Sequence, residues 1–377
     1  MDFEFPADTL MLRDMLRRFL EKDARPLEMD YFNSGALKPE QRAKLRRAIE
    51  QLGLWGYLAP EKFGGAGLDS VTACLIEEEL GGTFIPLEMG EVPVMLYACQ
   101  GEQVGQFLEP ALEGSRRAII AAREPAPASV LPETWSTIMQ PSGDGFLLNG
   151  QKILSIRPEA NDFFIILARS SATGNNKELT AFLLEPNTPG LSVSLNGGMF
   201  LCLQDCKTGQ ASLLGEAGDA LKLAAGEAPR AWIRMGARYV GMVERLIEMA
   251  TEHARDWISL GAALAQRPAI QRILAELRVQ VESTRWLVYH TAWLADTQPP
   301  EKLRIPAAQV RLASGELLKR AVDSTTMVFL GPGPSAQIEP RRLVQSVVPM
   351  DALEQGLEQA RAMIANQMLD LSQILDS

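Results

Sequence analysis

The sequence has few of the residues that build metal centres and disulfide frameworks. Four cysteines in 377 residues are too few to staple a chain of this length, so reduced thiols are the simpler interpretation. Only two histidines occur, and neither is close in sequence to the C-x3-C pair of Cys202 and Cys206. No metal site is therefore predicted.

The sequence also lacks an excess of positive charge and any long apolar run. A formal net charge of −10 without a long basic run makes nucleic acids and anionic membranes poor partners. No apolar run reaches the roughly 18 residues that a membrane-spanning helix requires. The acidic start MDFEFPADTL fits neither a signal peptide nor a transit peptide, so the expected location is the cytoplasm.

Apolar residues are plentiful and recur with helical spacing at both ends of the chain. They make up 46% of the sequence, enough for a large core. Helices are predicted near the N-terminus at 8–23, 39–53, 70–81 and 93–114, and in a C-terminal bundle at 229–260, 266–296, 304–329 and 350–375. The tryptophans of this bundle are interpreted as buried packing residues: Trp232, Trp257, Trp286 and Trp293.

The middle of the chain has a different residue pattern. Short apolar or alternating runs lie between Gly, Asn, Asp and Pro residues, a pattern typical of a small antiparallel β-barrel or sandwich. The chain is therefore assigned to the α+β class with three domains: a helical domain at 1–116, a β-domain at 117–226 and a helical bundle at 227–377.

Five short motifs occur in order along the chain. They are the stretch from Gly53 to Gly82, the tetrapeptides Asn149-Gly150-Gln151-Lys152 and Thr188-Pro189-Gly190-Leu191, Val240-Gly241 with Leu260-Gly261, and LEQGLEQARAMIA at 353–365. Together they resemble the acyl-CoA dehydrogenase family from end to end. The resemblance implies that family's fold, which has a helical N-terminal domain, a small middle β-barrel and a C-terminal four-helix bundle.

The resemblance also implies a chemistry, the removal of two hydrogens from an acyl-CoA thioester. A glutamate takes the α-proton while a hydride leaves the β-carbon for FAD, and donors to the thioester carbonyl stabilise the developing negative charge. The base needs an apolar, water-excluding pocket that raises its pKa. The implied cofactor is FAD, the implied substrate is an acyl-CoA, and the implied electron acceptor is an electron-transfer flavoprotein.

Glu354 is the implied catalytic base. It falls on the glutamate of the family's Y-E-G-T motif when the last helices are aligned from Arg361, although Leu353 replaces the tyrosine. The alternative is an exposed helix glutamate, because Glu358 and Arg361 follow at ion-pair spacing. Some family members carry the base at a second position. That position is Ala231 here, and an alanine side chain cannot act as a base.

Two flavin-cradling segments are implied in the middle domain. The family's T-E-P-x-A-G-S-D loop reads R-E-P-A-P-A-S here, which implies cofactor contacts from Glu124, Pro125 and Ser129. The hydroxyl residue of the family's W-[IV]-[ST] motif is represented by Ser155, one position early. In a regular strand this shift turns the hydroxyl to the opposite face.

The dinucleotide end departs further from the family pattern. Trp257 replaces the arginine of R-x-x-F-G, which in the family meets the pyrophosphate of a neighbouring subunit's flavin, and Arg255 is the nearest substitute. The Q-x-x-G-G-x-G loop reads V-F-L-G-P-G-P. It keeps Gly331 and Gly333, but its two prolines remove backbone N–H donors that would hold phosphate.

The sequence thus combines an intact core pattern with altered nucleotide loops. We interpret it as an acyl-CoA dehydrogenase-like oxidoreductase subunit that works as one half of a mixed oligomer, with FAD shared with or supplied by the partner. The resemblance implies a homotetramer or a heterotetramer with a paralogous subunit. Two alternatives stay open: a non-catalytic binding or scaffold protein that has lost flavin, and an enzyme of altered chemistry.

Overall fold

The computed structural model describes residues 5–125, 135–154, 157–170, 179–195, 198–224, 227–329 and 340–369. The chain forms two compact units. The helical unit comprises Met1–Leu58, Ala66–Met89 and Ala228–Ser377, and the sheet unit comprises Ala59–Gly65 and Gly90–Glu227. This grouping joins the N-terminal helices to the bundle and residues 90–116 to the sheet, whereas the sequence predicts three consecutive domains; those domain boundaries stay a prediction.

Helices dominate both ends of the chain, as the sequence predicts. In chain order they are α1 (Ala7–Phe19), α2 (Glu28–Ser34), α3 (Pro39–Gln51), α4 (Ser70–Leu80), α5 (Glu109–Leu112), α6 (Ala220–Ala224), α7 (Glu227–Asp256), α8 (Pro268–Thr297), α9 (Arg304–Phe329), α10 (Pro340–Val347) and α11 (Met350–Met368). The apolar faces of α7, α8, α9 and α11 meet in one core cluster.

Two glycines let α4 cross α7 at very short range. A Cβ atom on Gly241 would lie 1.8 Å from the carbonyl oxygen of Glu78, and one on Gly81 would lie 2.2 Å from that of Arg238. Neither position tolerates a side chain without backbone movement. The glycine of the Val240-Gly241 motif is therefore explained by close helix packing. At the start of α4, the Asp69 side chain caps the helix by accepting from Thr72 N at 2.6 Å.

The middle of the chain forms an eight-stranded sheet, which confirms the β-region that the sequence predicts. Its strands are β1 (Ala118–Ala121), β2 (Ile138–Ser142), β3 (Gly145–Ile153), β4 (Phe163–Ser170), β5 (Leu179–Leu184), β6 (Leu191–Ser194), β7 (Phe200–Gly209) and β8 (Leu213–Leu214). The order is β6-β7-β3-β2-β4-β5-β8, with β1 paired to β4.

The sheet is mixed rather than wholly antiparallel. Both β1 and β2 run parallel to β4, β1 along its first half and β2 beside its last two residues. The central strand β4 is buried on both faces because Phe163 and Ile165 enter one core cluster while Phe164 and Ile166 enter another. Such a doubly buried strand reads as a continuous apolar run.

Three of the four bundle tryptophans are exposed, so their interpretation as buried packing residues is wrong: Trp257, Trp286 and Trp293. Trp286 and Trp293 on α8 are each 53% exposed. They occur on the outward face of α8, whereas Val281 and Val288 of the same helix are buried. Within the described ranges, no helix combines the length and apolarity needed to cross a membrane.

Candidate functional site

The sheet unit contains a fully buried ion pair between Glu124 and Lys152. Glu124 follows β1 closely, where Ile153 N donates to Arg123 O at 2.8 Å and brings the end of β1 beside β3. Lys152 lies on β3, and its Nζ donates to Glu124 Oε1 at 2.8 Å. The side chains are 0% and 1% exposed, so neither charge is solvated by bulk water.

The rest of the Glu124 carboxylate is bonded to one short segment. Ser136 donates to Oε2 through its backbone N at 2.6 Å and its Oγ at 2.9 Å, and Thr137 N donates to Oε1 at 2.9 Å. The ring centroid of Trp135 lies 3.9 Å from Lys152 Nζ. In this Glu124 cluster (Glu124, Trp135, Ser136, Thr137 and Lys152), both charges are matched by protein groups.

The pKa values of the pair show that the carboxylate of Glu124 is better compensated for its burial than the ammonium of Lys152. Burial alone would raise the pKa of Glu124, but the hydrogen bonds from Lys152, Thr137 and Ser136 outweigh burial and lower it to about 2. Burial lowers the pKa of Lys152 to about 8, although the bond to Glu124 acts to raise it. At neutral pH the pair is therefore predominantly ionised.

The Glu124 cluster joins the ends of the segments that the sequence predicts for flavin. Glu124 and the half-buried Pro125 precede residues 126–134, and the donors Ser136 and Thr137 follow them. Lys152 stands near the end of β3, shortly before Ser155. Because both carboxylate oxygens are bonded, Glu124 holds the protein's own chain.

Glu354 is half-exposed on α11. Lys319 Nζ of α9 lies 2.7 Å from Glu354 Oε1, and the Glu354 side chain is 47% exposed. The hydrogen bond to Glu354 raises the pKa of Lys319. Arg361 pairs with both Glu358 and Glu316 nearby. This is the arrangement of an exposed helix glutamate rather than of a desolvated base, and the catalytic role stays a prediction.

Arg255 lies in the last turn of α7 with an exposed side chain. Just before it, His253 stacks on Phe329 at a centroid distance of 4.5 Å and on Trp257 at 5.9 Å. Burial lowers the pKa of His253, and its Nε2 has no hydrogen-bond partner among the described residues. Trp257, at the position where the resemblance implies an arginine, is 36% exposed.

The structure describes only some of the predicted site residues. Four of them lie outside the described residues: Ser129, Ser155, Gly331 and Gly333. Glu124 and Pro125 belong to the sheet unit, and Arg255 and Glu354 belong to the helical unit. In the described part of the helical unit, Glu354 pairs with Lys319, and no bond links it to Arg255.

The helical unit contains a second buried cation, Arg311 on α9, which is 8% exposed. Its Nη1 lies 2.7 Å from Met235 Sδ, and its Nη2 donates to Ala352 O at 3.5 Å. Its Nε has no hydrogen-bond partner within the described ranges. The guanidinium lies 5.7 Å from the ring centroid of Trp232. Unlike Lys152, it forms no ion pair with any carboxylate that the structure describes.

The space for this guanidinium comes from a glycine on α11. A Cβ atom on Gly356 would lie 1.9 Å from Arg311 Nη2 and 2.3 Å from its Nε. Burial lowers the pKa of Arg311, while the charge of Tyr239 acts to raise it. Since a guanidinium keeps its proton in proteins, the group remains a buried cation.

Sequence reasoning passes over Arg311, although a signal is present. Arg311 is in phase with Ala307, Ser314 and Leu318, all of which are buried, so it stands on the apolar face of α9. A charged residue within the apolar stripe of a helix predicts a buried charge.

Comparisons with known proteins cover nearly the whole chain. The acyl-CoA dehydrogenase N-terminal domain family matches residues 6–114, and the acyl-CoA dehydrogenase C-terminal domain family matches residues 229–369. The (R)-benzylsuccinyl-CoA dehydrogenase of Thauera aromatica is 28% identical over 98% of this chain and 97% of its own length.

Solved structures agree with these sequence matches. Butyryl-CoA dehydrogenase from Megasphaera elsdenii is 25% identical with a TM-score of 0.81, covering 98% of this chain and 100% of that chain. Glutaryl-coenzyme A dehydrogenase in its glutaryl-CoA complex is 22% identical with a TM-score of 0.83, covering 98% of this chain and 97% of that one. With family matches in both its N-terminal and its C-terminal part, this chain belongs to the acyl-CoA dehydrogenase family.

Proposed function

We propose that this chain is an FAD-dependent acyl-CoA dehydrogenase subunit that takes part in the α,β-dehydrogenation of an acyl-CoA thioester. The observation that carries the proposal is the Glu124 cluster. It joins the Glu-Pro and Asn-Gly-Gln-Lys motifs through a buried, fully bonded ion pair. Burying two charges is costly, so a complete bonding set at the ends of the cofactor segments supports their retained use.

The described residues fit the flavin in part. Arg255 carries an exposed guanidinium, which suits the pyrophosphate of a dinucleotide. Glu124 acts on the flavin indirectly, by fixing the chain on both sides of residues 126–134, because its oxygens are already bonded. When bound, FAD supplies the acceptor for the hydride that leaves the β-carbon of the acyl group.

The proposed reaction also needs a base that takes the α-proton. Glu354 is the residue that the family alignment offers, and it would take the α-proton of the thioester. In the single chain it is paired with Lys319 and half-exposed to water. Removal of the α-proton would require Glu354 to leave Lys319 and become desolvated, which binding of an acyl chain or of a second subunit could bring about.

A mixed oligomer is the form of the enzyme that we propose. Its support is the change at the nucleotide end, where Trp257 replaces an arginine and prolines flank Gly333. In the family these positions face a neighbouring subunit's flavin. The chain would be purified alone and after co-expression with an acyl-CoA dehydrogenase paralogue. A yellow, active homotetramer from this chain alone would reject the mixed oligomer.

The test of the function itself is spectroscopic. The full chain, alone and with the paralogue, is incubated with FAD, freed of excess cofactor and examined for the visible band of oxidised flavin. Addition of an acyl-CoA without oxygen should bleach that band as the substrate is oxidised. A protein that binds acyl-CoA but never retains flavin in either preparation contradicts the proposal.

That outcome would favour the second candidate function, a non-catalytic acyl-CoA-binding protein of the same fold. The specific observation behind it is the Glu354–Lys319 pair, which places the implied base in a solvated ion pair. Flavin spectra and acyl-CoA binding together separate the two candidates, since only the first requires the bleaching.

The names of two relatives bear on the substrate class. Benzylsuccinyl-CoA and glutaryl-CoA are thioesters of dicarboxylic acids, so each acyl group keeps a second, free carboxylate. The butyryl group named for a third relative has none. The family therefore accommodates both kinds of acyl group, and a substrate with a free carboxylate is one that this chain could take.

A further inference from the structure

The described residues include a buried cation without a counter-ion, and the proposed function does not use its chemistry. Arg311 offers guanidinium N–H donors in a fixed fork, yet its neighbours are a thioether, an aromatic ring and one distant carbonyl. Thioether sulfur is a weak acceptor, and the carbonyl of Ala352 is at 3.5 Å. The donor set is therefore largely unsatisfied in the described structure.

A carboxylate is the group that matches this fork. Its two oxygens accept paired N–H bonds from a guanidinium and neutralise its charge. Among the described side chains of the helical unit, no carboxylate pairs with Arg311. Glu354 lies two residues from both Ala352 and Gly356, hence on the opposite face of α11, and binds Lys319 instead. The adjacent first turns of α11 add the positive end of a helix dipole, which also favours an anion.

The surroundings of Arg311 suit an acyl chain better than a fixed protein acid. Trp232 and Met235 are only half-buried, so they form the more accessible side of the guanidinium. Met235 touches Nη1 through an unbranched, flexible side chain that can move aside. Gly356 leaves the opposite side without a side chain, so the guanidinium rests against the backbone of α11.

We propose that Arg311 binds the free carboxylate of an acyl-CoA thioester of a dicarboxylic acid, with Trp232 and Met235 against its methylene chain. The inference rests on the proposed function, because its ligand is the acyl-CoA substrate that this function requires. It narrows the substrate class from any acyl-CoA to one that carries a second carboxylate.

A matched pair of ligands tests the carboxylate. Glutaryl-CoA and pentanoyl-CoA have acyl chains of equal length, and only the first ends in a carboxylate. Calorimetric titration of the FAD-treated full chain, in whichever oligomer it forms, should give tighter binding of glutaryl-CoA. In Arg311→Met its affinity should fall about 30-fold or more, the usual loss when one partner of a buried charged hydrogen bond is removed, with pentanoyl-CoA little changed.

The control and the contradicting outcomes follow from the same titrations. Arg320→Met, at an exposed arginine of the same helix, should keep the wild-type preference. Equal wild-type affinity for both ligands, or a preference that survives Arg311→Met, overturns the inference and leaves the proposed function standing. An Arg311→Met protein that keeps the preference but loses its oligomeric state assigns Arg311 to a subunit contact. Failure of both thioesters to bind the wild type removes the proposed function and the inference together.

Discussion

Two cations are buried among the residues that the structure describes, and their surroundings are opposite. Lys152, in the sheet unit, is held by Glu124 and by the face of Trp135, and its carboxylate partner is bonded in turn by backbone donors. Arg311, in the helical unit, has Met235 and a distant carbonyl in place of an acid. Removal from water is costly for both, and only one is compensated within the described chain.

This difference separates two uses of a buried charge. A complete set of partners ties chain segments together, as Glu124 does with Ser136 and Thr137. An incomplete set leaves a cation that a ligand can satisfy, at a cost in stability while the ligand is absent. Substitutions at the two cations should therefore change stability in opposite directions.

The largest effect is expected from Lys152→Met. The substitution leaves the Glu124 carboxylate buried without its counter-charge, which should lower the free energy of unfolding by ~3–5 kcal/mol. Urea titration of the full chain measures it. Lys222→Met, at a lysine whose side chain is 79% exposed, makes the same chemical change in the same unit and should cost under about 1 kcal/mol.

A double variant shows whether Lys152→Met loses stability because the ion pair is broken or because packing is lost. Glu124→Gln combined with Lys152→Met removes both charges and should recover part of the stability that Lys152→Met loses. A single variant as stable as wild type would mean that the Glu124 cluster contributes nothing to the sheet unit.

The next effect concerns acid stability. The pKa of Glu124 is about 2 in the folded chain against 4.5 for a free carboxyl, so its contribution is fully present above about pH 4.5 and is lost towards pH 2. A shift of this size corresponds to roughly 3 kcal/mol. Unfolding measured from pH 6 to pH 2 should therefore show a shallower acid loss in the double variant Glu124→Gln, Lys152→Met than in wild type.

Lys152 acts in the opposite direction at alkaline pH. Its pKa is about 8 in the folded chain, below its ordinary 10.5, so the folded chain releases this proton before the unfolded chain does. The contribution of Lys152 to stability therefore rises between about pH 8 and pH 10.5. Lys152→Met should lack this rise, and an identical alkaline profile in variant and wild type would contradict the assignment.

Much of the fold could be predicted because its helices and strands carry clear periodicity. The helices predicted at 266–296 and 304–329 agree closely with α8 and α9. The parallel pairing of β1 with β4 could not be predicted, because pairing partners depend on contacts between distant residues. The exposure of Trp286 and Trp293 was likewise missed, since composition does not say which face of a helix meets the core.

The candidate site was less predictable than the fold, for a physical reason. Motif spacing predicts a cofactor contact from Glu124, but hydrogen-bond partners decide whether a carboxylate faces a ligand or the protein. Lys152 belongs to a motif, but the other partners, Ser136 and Thr137, lie outside every motif that the sequence analysis names. Arg311 was missed because no motif contains it, although it is a charged residue on the apolar face of α9.

Arg311→Met is expected to raise the free energy of unfolding, whereas Lys152→Met is expected to lower it. Replacing an uncompensated buried cation with an apolar side chain of similar length removes a desolvation penalty, so the free energy of unfolding should rise by ~1–3 kcal/mol. Thermal and urea unfolding of the ligand-free chain measure it, with Arg320→Met as the exposed control. A loss of stability would indicate a partner for Arg311 outside the described residues.

The smallest effect on stability is expected from Glu354→Gln, which breaks the exposed pair with Lys319. Such pairs contribute about 0–1 kcal/mol, so the variant should fold, assemble and bind FAD as wild type does. Its turnover therefore reports on chemistry alone. If Glu354 leaves Lys319 to take the α-proton, flavin bleaching by acyl-CoA should slow by orders of magnitude while thioester affinity changes little. Lys319→Met, which breaks the same pair from its other side, should keep the bleaching, and equal rates in both variants would remove Glu354 from the mechanism.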